Sequence, residues 1–80
     1  MTQYEKLLQK FLDNPKSLKV KEIIKILEKE GFTRSGGVGS HNLYEKGEFS
    51  VNFPIHNNDC KNIYKKQALK EYLKSKENEK

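Results

Sequence analysis

His41 and His56 are the two side chains of this 80-residue sequence whose ordinary titration falls near neutral pH. His41 stands in Gly39-Ser40-His41-Asn42-Leu43-Tyr44, directly after the glycine-rich run Gly36-Gly37-Val38-Gly39. A histidine can both accept and give a proton, so one imidazole serves as general base and general acid. RNA brings its own nucleophile, the ribose 2′ hydroxyl. A base that removes its proton lets the oxygen attack the adjacent phosphorus, with release of a 5′ hydroxyl and a cyclic phosphate on the other fragment. That chemistry calls for no metal or cofactor, and the chain has no acidic cluster to hold one. Read without further context, a histidine opening a strand is also an ordinary surface residue, and both readings of His41 stand.

Three other features bear on the same chemistry. His56 follows the second strand of the hairpin described below, so pairing of the two strands brings it near His41, where two histidines can divide the acid and base roles; the alternative is a solvated loop residue. Ser40 adds a hydroxyl beside His41, but no acyl-transfer triad surrounds it, with Asp59 as the one acidic candidate. The loop ending at Gly39 can present bare backbone N–H groups to an anion, although it matches no nucleotide-binding pattern. Two histidines without an evident third ligand make a weak metal site, and Cys60 is alone, so neither a disulfide nor a thiolate zinc site is expected.

The elements that must position these residues are legible from periodicity. Residues 3–13 place Tyr4, Leu7, Leu8, Phe11 and Leu12 on one helical stripe, stopped by Asn14-Pro15. This stripe is read as folding onto the domain or as an oligomer contact. A second helix carries Val20, Ile23, Ile24 and Leu27 on one face and closes at Gly31, with Phe32 as the apolar residue past the cap. Phe32–Ser35 is a short strand. Residues 40–45 and 48–53 flank Lys46-Gly47 as a hairpin, with Phe49, Val51 and Phe53 on the buried side. Leu43 is expected to join that core and Tyr44 to face outward. Pro54 is expected to end the pairing, and 57–60 to form a polar loop. A last helix over about 63–76 has Asn62 as its N-cap and Tyr64, Ala68, Leu69, Tyr72 and Leu73 on its stripe.

The order α-α-β-β-β-α predicts a two-layer α+β domain, a three-stranded antiparallel sheet with helices on one face. One domain over residues 1–80 is expected: a helical extension over 1–16, a core over 17–76 and a frayed tail over 77–80. No apolar run reaches the ~20 residues of a membrane span, no signal segment is evident, and the expected location is the cytoplasm.

Charge points to a polyanion. The net charge is +5, and residues 61–80 hold seven Lys against three Glu, whereas 32–60 are net −1. Lysines that neutralise phosphates release counterions and gain affinity. Lys21 and Lys25 of the second helix and Lys65 and Lys66 of the last are the expected phosphate contacts, with Gly39 near the backbone and Tyr44 stacking on a base. The bland alternative is a solvated lysine-rich face. With one Arg in the chain, bidentate phosphate recognition is not widespread.

From about Val20 to Leu73 the sequence resembles the HicA family of toxins. The resemblance is carried by Lys21-Glu22-Ile23-Ile24-Lys25-Ile26-Leu27, Gly31-Phe32, Gly39-Ser40-His41 with Tyr44, the strand to Pro54-Ile55-His56, and Ile63-Tyr64-Lys65-Lys66-Gln67. It implies a fold like the double-stranded RNA-binding domain and a metal-independent endoribonuclease acting on mRNA. It also implies His41 as the catalytic residue and a HicB-type antitoxin as protein partner, with no DNA partner for the toxin alone. A non-catalytic RNA-binding module of the same fold is the second expectation. A protein-interaction subunit assembled through its N-terminal stripe is the third.

Overall fold

In the computed structural model, which describes residues 2–37, 39 and 41–78, the chain folds as expected in order and class. Helix α1 (Gln3–Asp13) begins at a reciprocal cap. The Thr2 hydroxyl accepts from the Glu5 amide, and the Glu5 carboxylate accepts from the Thr2 amide. After a 3₁₀ turn at Pro15–Ser17, α2 (Val20–Glu30) ends at Gly31, whose φ of 114° is left-handed. The Gly31 and Phe32 amides both donate to the Leu27 carbonyl, the hydrogen bonding of a glycine-closed helix end.

Strands β1 (Thr33–Gly36), β2 (His41–Lys46) and β3 (Phe49–Pro54) form one antiparallel sheet in that order. The β1–β2 register shifts between Arg34 and Gly36, a bulge that bends the strand into the glycine loop. In the β2–β3 ladder His41 pairs with Pro54, Leu43 with Asn52, Tyr44 with Val51 and Lys46 with Phe49. Pro54 ends the pairing as expected: it is the last residue of β3, opposite His41, and has no N–H to donate onward.

Opposed residues of an antiparallel pair point to the same face. The register thus places Tyr44 with Val51 on the core side and Leu43 with Asn52 on the open side, which reverses the expectation for Leu43 and Tyr44. The physical reason is that β3 alternates apolar and polar residues, whereas β2 offers no comparable alternation and its phase follows from its pairing with β3. Tyr44 is 7 % exposed and meets Phe53 edge to face, with ring centres 6.0 Å apart.

A single apolar cluster lies between this face and the helices. It joins Phe11, Leu18, Val20, Ile23, Ile26, Leu27, Phe32, Tyr44, Val51, Phe53, Ala68 and Tyr72. Each fully buried large side chain contributes about 1.5–3 kcal/mol, so Phe11, which is inaccessible to solvent, makes α1 part of the core. Phe11 packs edge to face on Tyr72, and Lys29 lies over the Tyr4 ring, so the stripe of α1 turns inward and leaves Leu12 exposed.

Helix α3 (Asn62–Glu77) starts after Lys61, which is the N-cap and makes no side-chain cap hydrogen bond; the expected cap, Asn62, is the first helical residue. Leu73 of its predicted stripe is exposed. Part of the expected tail, 79–80, falls outside the described residues, while Glu77 still belongs to the helix. No described helix is long and apolar enough to cross a membrane.

Candidate active site

The end of the hairpin where β2 begins and β3 stops opens into a cleft of about 440 Å³. Its lining includes His41, His56, Asp59, Cys60, Lys61 and Tyr64. His41 enters it as the first residue of β2, exposed to solvent and set on the open face of the sheet by its pairing with Pro54. Its Nδ1 lies 3.3 Å from the Asn52 amide nitrogen. A carboxamide suits this place in either protonation state. Its N–H donates to a bare Nδ1, the tautomer that carries its proton on Nε2, and its carbonyl, turned over, accepts from Nδ1–H, the neutral form in which Nε2 keeps its lone pair as a base. Asn52 is thus a positioning residue for His41 that inspection of the sequence missed. Its signal was there in the alternation of β3, where Asn52 faces away from the core.

Gly37 is the second omission. Its φ is +126°, and a Cβ at that position would collide with the carbonyl oxygen of His41. A glycine here lets the loop pass directly against the strand that carries the histidine. The sequence shows the loop to be permissive, but which glycine is indispensable depends on the approach of β2. Gly39 is exposed, also at positive φ, with open space where a Cβ would stand. Ser40, the expected support for His41, lies outside the described residues.

His56 is held by a two-residue turn, not a loose loop. The amides and carbonyls of His56 and Asp59 bond reciprocally, at 2.8 and 3.1 Å, around Asn57 and Asn58. Both asparagines have positive φ, 54° and 66°, the conformation that Asn tolerates better than most residues and that tight hairpin turns require. The turn is anchored by Asp59. Its Oδ1 accepts from the amides of Cys60 (2.9 Å) and Val20 (3.1 Å), and Lys65 Nζ lies 3.0 and 3.2 Å from its two oxygens. One carboxylate therefore caps α2 from 39 residues away and ties it to the His56 turn and to α3. Burial works against the charged carboxylate, but the Cys60 amide, the Lys65 ammonium and the Val20 amide outweigh it and hold the carboxyl below its ordinary range. Asp59 is engaged in this brace and not in a triad.

The same brace corrects Lys65. Expected to contact RNA phosphate, it is a buried lysine, 4 % exposed, whose ammonium faces Asp59. Residue Lys61 takes its place at the cleft. The first turn of α3 itself has no side-chain cap and no acidic residue, and the Asp59 carboxylate just before it is paired with Lys65. Tyr44, expected to stack on a base, is in the core. Tyr64, expected in the core, packs against its edge half-buried and also lines the cleft. Lys21, Lys25 and Lys66 are exposed as expected. Lys21 reaches the surface beside Ile55 and Asn58, next to the His56 turn. Lys25 lies in a groove between α1 and α2 among Glu22, Glu28 and Lys29. The structure brings His41 and His56 together with Lys61 and Tyr64; neither Lys25 nor Lys66 lines that cleft.

Cys60 also lines the cleft. Burial pushes its thiol up, with Lys65 opposing and Asp59 adding to the shift, so it stays protonated at neutral pH and is a poor nucleophile. Among the described residues no three His, Cys, Asp or Glu side chains gather as a metal-binding group.

Compared with families of known proteins, the chain matches the family model described as HicA toxin of bacterial toxin–antitoxin over residues 20–74, from the start of α2 into α3. No curated protein and no solved structure matches it significantly.

Proposed function

The chain belongs to the HicA family, toxins of bacterial toxin–antitoxin systems, and on that premise we infer that it is a metal-independent endoribonuclease that cleaves mRNA and arrests translation. The observation that supports this reading is the shared cleft of His41 and His56 with Lys61 beside them. His41, oriented by Asn52, takes the proton of a ribose 2′ hydroxyl. The freed oxygen attacks the neighbouring phosphorus, the bond to the 5′ oxygen breaks, and His56 donates a proton to that leaving oxygen. The products are a 2′,3′-cyclic phosphate and a 5′ hydroxyl. Lys61, at the start of α3, offsets the charge that grows on the phosphoryl oxygens. Lys21, Lys25 and Lys66 contribute sequence-independent attraction to the RNA backbone. The working location is the cytoplasm, where mRNA is met, and a HicB-type antitoxin restrains the toxin by covering the cleft.

The test is incubation with mixed-sequence RNA in EDTA, beside His41→Ala and His56→Ala proteins checked for folding. Loss of a positioned proton donor or acceptor lowers the rate about 10²–10⁴-fold. His41→Ala should therefore be inactive on this scale, with cyclic-phosphate ends on the wild-type products. The order α2-β1-β2-β3-α3 is also that of non-catalytic duplex-RNA binders. Salt-sensitive binding without cleavage by the wild type would transfer the chain to that class, and cleavage retained by His41→Ala would remove His41 from the mechanism.

A further inference from the structure

Beside the cleft, on the open face of the sheet, lies a second groove of about 340 Å³ lined by Leu43, Ser50, Asn52, Ile63, Tyr64 and Gln67. We propose that this groove is a nucleobase subsite, which seats the base of a nucleotide next to the scissile phosphate and gives the enzyme its sequence preference. The inference rests on the ribonuclease reading of the cleft and adds a specificity site to it.

Position comes first. His41 and Leu43 share one face of β2, two residues apart, and Asn52 pairs with Leu43 on the same face of β3. Two residues of strand span about 6.6 Å, so the groove begins one short step from the imidazole. Asn52 touches His41 and lines the groove, and Tyr64 lines both cavities, so the two adjoin. Chemistry comes second. The cleft has histidines, an aspartate and a lysine, whereas no side chain lining the groove carries a charge at neutral pH. A nucleotide is divided in the same way, into a charged phosphate and a neutral base.

The groove also offers what a base needs on its faces and its edge. Leu43, Ile63 and the Tyr64 ring supply apolar surface for the faces. Ile63 is 66 % exposed on the first turn of α3, a large apolar side chain that the core does not use. The Gln67 carboxamide and the Ser50 hydroxyl supply donors and acceptors for the edge. No side-chain hydrogen bond within the described residues engages either of them.

The experiment uses the full chain and 2′-O-methyl trinucleotides that differ only in the middle base and cannot be cleaved. NMR titration follows the side-chain amide signals of Asn52 and Gln67. The expected result is movement of both signals and affinities that differ about tenfold between the best and worst base. Gln67→Ala should collapse that spread, and Ile63→Ser should weaken binding of every base about tenfold. Both positions are exposed, so neither change threatens the fold. The ratio of cleavage rates between matched and mismatched RNAs should fall in step in Gln67→Ala, whatever its absolute rate. Groove signals that stay still, or that move equally for all four bases, overturn the proposal. So does movement seen only on adding the antitoxin, which makes the groove a protein-docking surface. Base-dependent binding without cleavage keeps the subsite and sinks the nuclease, while cleavage without groove signals does the reverse.

Discussion

The Asp59–Lys65 pair gives the sharpest separation between what a basic helix suggests and what the fold does with it. Asp59→Asn leaves the Lys65 ammonium without its partner while the side chain remains only 5 % exposed. Breaking a fully buried pair in this way costs about 3–5 kcal/mol. Here the carboxylate side is 39 % exposed, so water screens the pair, and the discounted cost is about 2 kcal/mol. In a domain of this size that lowers Tm by about 8–16 °C. Lys65→Met behaves differently, because it removes the ammonium together with its desolvation cost and leaves Asp59 the Val20 and Cys60 amides. Its stability should stay within about 1 kcal/mol of wild type. Thermal unfolding by circular dichroism reads both variants, and the double variant measures their coupling. RNA binding against salt provides the second readout: a lysine on a phosphate adds about 0.7–0.9 to the slope of log affinity against log salt. Lys65→Met should leave that slope unchanged, whereas Lys66→Gln or Lys21→Gln should lower it. An Asp59→Asn protein that melts within about 2 °C of wild type would refute the brace. A Lys65→Met protein with a reduced slope would return Lys65 to the RNA.

The remaining predictions concern acid, the glycine loop and the first helix. Asp59 has its carboxyl lowered in the fold, so the stability it confers is fully present above the unfolded value of about 3.9 and is lost as pH falls through the lower folded value. The difference in stability between wild type and Asp59→Asn should hold steady above about pH 4 and shrink below it, by urea titration at each pH. Gly37→Ala should cost about 1–3 kcal/mol in backbone strain and reduce RNA cleavage by displacing the start of β2; Gly36→Ala, with open space around its Cβ, is the control that should leave both unchanged. Phe11→Ala should cost about 3–5 kcal/mol in chemical unfolding. Removal of residues 1–16 should destabilise the domain and not alter an assembly state, as sedimentation of wild-type and shortened chains will tell.

Periodicity by itself determined the element order, the extent of α1 and α2, the glycine that closes α2, and the existence of the hairpin, although its turn falls at Gly47-Glu48, one residue beyond the expected Lys46-Gly47, with Lys46 paired to Phe49. Those features depend on contacts between residues near in sequence, and local rules describe them. The catalytic candidates were legible for a similar reason: His41 and His56 flank one hairpin, and antiparallel pairing fixes their proximity to within a residue or two. What only the tertiary structure decided is which side each residue faces. The phase of β2 put Tyr44 inside and Leu43 outside, a one-residue question that inverts every side chain of a strand. The burial of Lys65 depended on Asp59, which the Asn57-Asn58 turn brings back beside α3 while it caps α2. The need for glycine at 37 depended on the carbonyl of His41 passing against it. Each is set by the approach of segments distant in the chain, and a charge or an aromatic ring in a sequence carries no mark of whether another segment will cover it.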